Sequence, residues 1–404
     1  MNPCFKKWLH LWTSYSCLFI GITIFLLPNF STAQCFQSPQ GRFVTANGEP
    51  CVNTIITAVP FLRIAPDART SSMGDAGIAV SADASALHYN ASKLVFAKNK
   101  TGFGLTYTPW LRALDINSVY LAYGSGYLKI NEKNAIGLGI RYFSLGNITF
   151  TGPNGMPIGS GKPNELEFNA SFAKKLSTKF SGGLGLKYIY SNLASGQQIG
   201  GTTITPGTSI AMDLSFTYQT PDITIGLALT NLGQRITYTN ANNRDFLPAN
   251  LGLGAAWNKQ LSENNKLTLT MDINKLLVPT PDPGNTDLDG DGIPDYLQRS
   301  FIPSILGSFS DATGGFSEEL NELMFSFGAE FQFQDFIALR AGYFNEHSTK
   351  GNRKYLTTGL GFTYKFVTLN GSYLIPTNNQ KNPLDNTFRL GLLFNFGQLT
   401  ANGK

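Results

Sequence analysis

The sequence predicts an all-β fold, a transmembrane antiparallel β-barrel of about fourteen strands with an N-terminal plug segment. Three observations predict it. Apolar residues recur at every second position from Gly102 almost to the C-terminus, the connections between these runs alternate short and long, and the chain opens on a secretory signal. The composition agrees: of 404 residues, 14% are charged, 12% are aromatic and 42 are glycines. Glycine suits a crowded lumen, and aromatics form girdles at the two membrane interfaces. A disordered chain carries more charge and fewer aromatics.

The first segment, residues 1–33, reads as a signal peptide. Lys6 and Lys7 form a basic n-region, the apolar stretch is densest from Cys17 to Leu27, and Ser31-Thr32-Ala33 meets the small-x-small rule. Cleavage is expected before Gln34, because the apolar core is short for a membrane span. It removes Cys4 and Cys17 and leaves Cys35 and Cys51. A lone pair in an exported chain is expected to form a disulfide, the alternative being two free thiols near a loose terminus.

Residues 34–100 show no sustained alternation and carry small and polar residues such as Met73-Gly74-Asp75-Ala76-Gly77. Turns and a short helix capped by Ser81 or Asp83 are expected here. The barrel itself is expected over 101–397, with a short tail over 398–404.

The alternating runs begin with Phe103, Leu105 and Tyr107, continue through Val119–Tyr127, Ile136–Tyr142, Phe168–Phe172, Leu184–Tyr188, Ile210–Tyr218, Ile223–Leu229, Leu251–Trp257 and Leu267–Ile273, and end with Phe325–Phe333, Ile337–Tyr343, Leu356–Phe366, Val367–Ile375 and Phe388–Phe396. One face of each run is apolar. The other is Gly, Ser, Thr and Asn with occasional charge: Arg141, Glu167, Lys187, Glu330, Arg340, Lys365 and Arg389. In a soluble sandwich the apolar face points inward; in a membrane barrel it points to lipid. Alternation alone does not separate the two, but loop parity does. Short connections such as Lys175–Lys179 and Gln219–Pro221 alternate with long ones such as Ser144–Pro163 and Leu276–Leu320. Outer-membrane barrels sort their loops this way, with short periplasmic turns and long outside loops. The parity sets the N-terminus on the periplasmic side, from which residues 34–100 are free to enter the lumen.

The sharpest local motif is Asp287-Leu288-Asp289-Gly290-Asp291-Gly292-Ile293-Pro294-Asp295. Carboxylates at alternate positions with interleaved glycines form the front half of a calcium loop, with oxygens from Asp287, Asp289, Asp291, the Ile293 carbonyl and Asp295. Gln298 stands where an EF-hand has its bidentate Glu, so Ca2+ would be held weakly; Asp and Gly also make ordinary turns. Catalysis finds no support. After cleavage only His88 and His347 remain, and neither stands in a triad-like arrangement or a nucleophile elbow. The net charge of +5 without a basic cluster argues against nucleic acid. Trp110, in Pro109-Trp110-Leu111-Arg112, reads equally as a partner or lipid contact and as an interfacial anchor.

Several stretches together resemble a known family. They are Phe61-Leu62-Arg63-Ile64-Ala65-Pro66-Asp67-Ala68-Arg69, Met73-Gly74-Asp75-Ala76-Gly77, Tyr89-Asn90-Ala91, Tyr107-Thr108-Pro109-Trp110-Leu111, Arg141-Tyr142-Phe143-Ser144-Leu145-Gly146 and Ala341-Gly342-Tyr343-Phe344, with the aspartate loop ending at Tyr296. The likeness is to the PorV family, outer-membrane components of the type IX secretion system, whose wider fold resembles the FadL fatty-acid channel. It implies an integral protein of the cell outer membrane that binds an SprA-like translocon and receives cargo proteins by their C-terminal sorting domains. It further implies delivery of that cargo to a PorU-like attachment complex, with outer membrane lipid around the wall. The alternative is a FadL-like channel for hydrophobic compounds. No partner-binding residue transfers from the family to this chain.

Overall fold

The computed structural model describes residues 35–37, 43–45 and 54–398, apart from 112–115, 117, 153–154, 200, 240–243, 282–286, 291, 313–314 and 378–386. The expected signal peptide, Cys51 and Asp291 lie outside the described residues, and with Cys51 the expected bridge to Cys35. Cys35 itself begins β1 (Cys35–Gln37), which pairs with β2 (Phe43–Thr45).

The wall starts with β3 (Asn99–Pro109), β4 (Val119–Lys129) and β5 (Asn134–Leu145). The next loop folds as a hairpin of β6 (Ile148–Thr151) and β7 (Pro157–Gly161). The wall resumes with β8 (Asn164–Lys175) and β9 (Phe180–Asn192), and a smaller hairpin of β10 (Gln198–Ile199) and β11 (Thr202–Thr203) follows. Then come β12 (Gly207–Gln219), β13 (Ile223–Gly233), β14 (Asn250–Ser262) and β15 (Asn265–Leu276). Past the longest loop lie β16 (Met324–Phe333), β17 (Ile337–Asn345), β18 (Lys354–Tyr364), β19 (Val367–Pro376) and β20 (Phe388–Gln398). These fourteen wall strands pair antiparallel with their neighbours, and β20 pairs with β3 to close the barrel. Each expected run is a strand of the wall, and the short and long connections fall on opposite rims.

The side chains are turned inside out relative to a soluble protein. On β5, Leu138 is 67% exposed while Arg141 is 1% exposed. The same inversion holds around the wall: Phe168, Leu186, Ile210, Leu253 and Leu360 face out, and Glu167, Lys187, Asp272, Glu330, Arg340 and Arg389 are buried within. Only lipid tolerates such an exterior. No helix among the described residues is long and apolar enough to cross a membrane, so the strands do the crossing. Lys365 departs from expectation: it is exposed, with φ 56°, in the tight turn between β18 and β19, because the strand ends one residue before it.

Residues 54–98 fill the lumen. A 3-10 turn at Pro60–Arg63 is followed by α1 (Ala68–Ser71), α2 (Ala86–Tyr89) and a 3-10 helix at Ala91–Phe96. Asp67 caps α1 by accepting from the Thr70 amide at 2.8 Å. The expected cap by Ser81 or Asp83 is corrected: Ser85 is the N-cap of α2 and makes no side-chain cap bond. Asp83 accepts from the Ser85 amide at 2.8 Å, and Ser81 accepts from Arg69 at 2.8 Å. Both are drawn away by partners on the plug itself.

The plug seats in a notch cut by glycines. Met73 and Gly74 press on the wall where β16 and β17 pair at Gly328 and Gly342. A Cβ on Gly342 would lie 2.1 Å from the Gly74 nitrogen, and one on Gly328 would lie 2.5 Å from the Met73 Cβ. Gly342→Leu should therefore unseat the plug while the wall persists. The folded barrel should show a gel mobility shift on heating, since its closed ladder resists detergent. The variant should keep the shift but at a lower temperature, consistent with roughly 1–3 kcal/mol of overpacking. An unchanged transition temperature would refute the seating.

Candidate functional site

The lumen is held by ion pairs that bridge plug and wall. Arg69 of α1 donates to Glu330 at 3.0 and 2.9 Å and pairs with Asp83 at 2.9 Å. Glu330 also pairs with Arg340 at 2.6 Å, and Arg340 donates to Asn370 at 2.8 Å. Across the barrel Arg141 pairs with Glu167 at 3.1 Å and donates to the Phe61 and Leu62 carbonyls at 3.1 and 3.2 Å. His88 contacts the same guanidinium at 2.5 Å. Burial, Arg141 and Lys187 hold the His88 pKa well below its usual value, so the ring stays neutral. Asp272 accepts the Gly77 and Ile78 amides at 2.7 and 2.8 Å. Burial lowers the Lys93 amine to about 8, against Asp83 and Asp272, and its ammonium donates to the Gly77 carbonyl at 2.5 Å. A buried charge stripped of its partner costs about 3–5 kcal/mol, so these pairs make the plug a fixed part of the barrel.

The cavities left between plug and wall are small and mixed in character, the larger being about 250 Å³ and lined in part by Arg69, Phe96, Glu330 and Leu393. A cavity of about 110 Å³ is lined by Arg63, Asp75, His88, Lys187, Asp272 and Arg353, among others. An acyl chain or arene favours an apolar pocket with few polar groups, and this one sets those charged groups among Leu62, Ile78, Leu276, Met324 and Phe344.

The outside loop between β15 and β16 presents the opposite character. It folds into α3 (Asp295–Gln298), α4 (Phe301–Gly307) and α5 (Phe316–Asn321). Glu322, at the end of α5, is buried and accepts from Lys275, from Lys350 at 3.0 Å and from the Thr280 hydroxyl at 2.7 Å. Glu319 pairs with Lys275 at 3.0 Å, and Glu318 with Lys350 at 2.7 Å. Asp311 accepts from the Thr280 amide and from Arg299, each at 3.2 Å. Arg235, from the neighbouring outside loop, donates to the Leu297 carbonyl. On this clamped base the apolar side chains face outward. Ile302 and Leu306, one helical turn apart on α4, are 66% and 68% exposed, Phe316 is 77% exposed, and Phe309 and Leu320 are each 48% exposed.

The aspartate motif sits at the tip of this loop. Carboxylate oxygens of Asp287, Asp289 and Asp295 lie within 4.8 Å of one another. Asp287 accepts the Gly290 and Gly292 amides at 2.8 Å each, and both glycines have positive φ, 72° and 81°. The Ile293 carbonyl accepts from Gln298 at 3.2 Å. Trp110 corrects both readings of it: it is 9% exposed and packs edge-on against Phe143 at 6.2 Å, in the cluster that holds Phe61 and Leu121. The plug supplies an apolar roof here, so the indole turns in. His347 contacts Thr349 at 2.9 Å in a short outside loop.

Sequence reasoning found Arg141, Glu167, Lys187, Glu330, Arg340 and Arg389 on the strands but missed the buried strand charges Glu165, Asp213, Asp272 and Lys275, and missed the ionic roles of Arg63, Arg69, Glu318, Glu319, Glu322, Glu346, Lys350 and Arg353 on the plug and loops. One signal was present: Glu319 and Glu322 are spaced to share a helix face.

A family model described as type IX secretion system protein PorV matches residues 47–283. No curated protein sequence matches the chain. Among solved structures, the Ralstonia pickettii toluene transporter TbuX is similar at TM-score 0.47 and 15% identity, covering 81% of this chain and 97% of that one. The P. putida toluene transporter TodX is similar at TM-score 0.49 and 12% identity, covering 81% and 98%. A Pseudomonas aeruginosa FadL homologue is similar at TM-score 0.45 and 11% identity, covering 85% and 100%.

At the outer end of the lumen one carboxylate ties the plug to a loop. Glu346 accepts from Arg63 at 3.1 Å and pairs with Arg353 at 2.7 Å. Burial pushes its carboxyl up, but Arg353 and Arg63 outweigh burial and hold it below the usual carboxylate range. A depressed folded value gives stability that is full above the unfolded value and is lost as pH falls through the folded one. Glu346→Gln should cost about 1.5–3 kcal/mol at pH 7, the range for hydrogen bonds to charged groups. The gap should shrink as the pH falls below about 4. Unfolding of both proteins at pH 7 and at acidic pH checks this, and a gap independent of pH would contradict it.

Proposed function

The chain belongs to the PorV family of type IX secretion system proteins, and we propose that it is the outer-membrane carrier of that system, docking protein partners on its outside loops rather than conducting solutes. The carrier receives the C-terminal sorting domains of cargo from an SprA-like translocon and passes the cargo to a PorU-like attachment complex. The observation that carries this reading is the contrast between interior and exterior. The lumen is filled and ion-paired, whereas the loop between β15 and β16 holds exposed apolar side chains on a rigid base. Pre-organised apolar residues gain affinity by avoiding ordering costs on binding, and such anchors dominate protein interfaces. The small volume of this cavity, about 110 Å³, and the charged groups in its lining disfavour the alternative, a channel for hydrophobic compounds.

The reading extends to the loop tip, where Ca2+ held by Asp287, Asp289 and Asp295, with Asp291 and the Ile293 carbonyl, stiffens the segment that leads into α3. The mutual approach of three carboxylates within 4.8 Å supports it, since unneutralised acids repel.

Two outcomes follow. Replacing Ile302, Leu306 and Phe316 by Ser should leave barrel assembly intact and cause proteins with C-terminal sorting domains to accumulate in the periplasm or on the translocon. Normal secretion by that variant would sink the docking role of this loop, and normal secretion after deletion of the gene would sink the carrier. Chelation should raise protease cleavage near Leu288, with added calcium restoring protection; identical cleavage with and without calcium would remove the ion from the account.

A further inference from the structure

At the rim of the short turns, opposite the docking loop, the plug leaves part of the lumen open. The cavity of about 250 Å³ runs inward there, between the plug and the strand ends from β12 to β20. Its inner end is closed by the ion-paired group of Arg69, Asp83, Glu330 and Arg340. Its mouth is rimmed by Asp335 and Phe336, in the turn between β16 and β17. Arg340 lies four residues of extended chain from Phe336, which makes the cavity roughly 13 Å deep. A wider antechamber shares Lys98, Gln332 and Asn395 with it and opens past Lys365.

Two lysines line this cavity from different elements, Lys98 at the end of the plug and Lys266 at the start of β15. Lys266 lies within electrostatic reach of Lys98 and of Arg69, so like charges gather around one space. Among the described residues neither lysine side chain has an ion-pair or hydrogen-bond partner. The carboxylates of the inner end are already held, Glu330 by Arg69 and Arg340, and Asp83 by Arg69. Only Asp335, at the rim, answers the two ammonium groups, so four cations face three carboxylates in the lining. Barrel wall and plug enclose the space on all sides but one, and like charges repel more strongly where bulk water is excluded. The rest of the lining is mixed. The side chains of Asn99, Gln219, Gln332 and Asn395 make no hydrogen bond among the described residues, and each amide offers both donors and an acceptor. Phe96, Phe336 and Leu393 add apolar surface between them.

We infer that this cavity binds a small acidic sugar from the periplasm, a single hydroxylated ring that carries a carboxylate or a phosphate. The anionic group sits between Lys98 and Lys266, where charge-assisted hydrogen bonds are strongest. The free amides meet the ring hydroxyls, and the apolar face of the ring packs on Phe96 or Phe336. Other ligands use less of the lining. An inorganic anion leaves the amides and the apolar surface idle, an acyl chain strips the lysines and amides of water without replacing it, and a neutral sugar leaves the ammonium groups unanswered. The closed inner end admits one ring and stops a glycan that would continue past it. The site lies at the opposite rim from the docking loop and does not depend on it.

The test is calorimetric titration of the full chain, purified in mild detergent, with galacturonate, galactose 6-phosphate and neutral galactose. Both acidic sugars should bind, with galactose roughly tenfold weaker, equivalent to 1.4 kcal/mol. Lys98→Gln with Lys266→Gln should abolish that preference and keep the heat-dependent gel shift, since neither ammonium group has a partner in the fold. Lys259→Gln, at an exposed position on β14, should change nothing. Without any variant, galacturonate should protect Lys98 and Lys266, but not Lys259, from acetylation by an amine reagent, read by mass spectrometry. Any one of four results would overturn the site: no binding of either acidic sugar, equal binding of galactose, binding of acetate or inorganic phosphate as tight as that of the acidic sugars, or no protection of the two lysines. Tighter binding of trigalacturonate than of the monomer would overturn the single-ring pocket.

Discussion

Everything in this molecule follows from one requirement: inside hydrocarbon, each backbone N–H and C=O must find a partner within the protein. Fourteen antiparallel strands closed by β20 against β3 meet it without an exposed edge. Closure forces period-two alternation, with apolar side chains outward to lipid and everything else inward. The inward face then becomes a problem of its own. Arg141, Glu167, Lys187, Asp272, Glu330, Arg340 and Arg389 are all buried, and buried charges need partners. The plug is the answer to that demand. Arg69 completes the Glu330–Arg340 group, backbone amides of Gly77 and Ile78 satisfy Asp272, and the Phe61 and Leu62 carbonyls occupy Arg141.

The sequence made the wall legible because the constraint acts locally. A strand facing lipid must alternate whatever its partners are, so each run announces itself, and loop parity follows from up-and-down topology. The plug was readable only as an absence of alternation. Its contacts join residues far apart in sequence, such as Arg69 with Glu330 or Arg63 with Glu346, and no local pattern encodes such pairs. The same limit misplaced the helix cap and Trp110. Ser81 has cap chemistry, but Arg69 claims it; Trp110 has interface chemistry, but the plug covers it. Local propensity set what these residues could do, and long-range packing chose among the options. The outside loop was recognisable by its length and aspartates, whereas the clamp around Glu322 draws on β15, α5 and the loop after β17 at once.

The division between a fixed interior and a displayed exterior has an energetic logic. Ion pairs within the lumen stabilise little in themselves, since desolvation offsets attraction, but removing one partner is severe. They therefore impose a single arrangement on the plug more than they add stability. The clamp beneath the outside loop works likewise. Lys275 and Lys350 meet Glu318, Glu319 and Glu322 in a place largely shielded from solvent. The apolar residues above are thereby held in water before any partner arrives. That arrangement is unfavourable for an isolated protein and sensible for one whose work is association, because the exposed area is released from water when the partner docks.

Glycine shows the same constraint from both sides of the wall. Inward glycines such as Gly328 and Gly342 are demanded by the chain itself: a methyl group there would strike the backbone or Cβ of the plug's Met73-Gly74 turn. Outward Gly124 and Gly126 are not, since a Cβ at either meets its neighbours near ordinary contact distance. High glycine content in a barrel is thus two signals in one. Where the plug occupies the space, glycine reports internal packing. Where nothing in the chain occupies it, as at outward Gly371, whose Cβ would meet only Phe388 at 4.0 Å, glycine reports no internal demand.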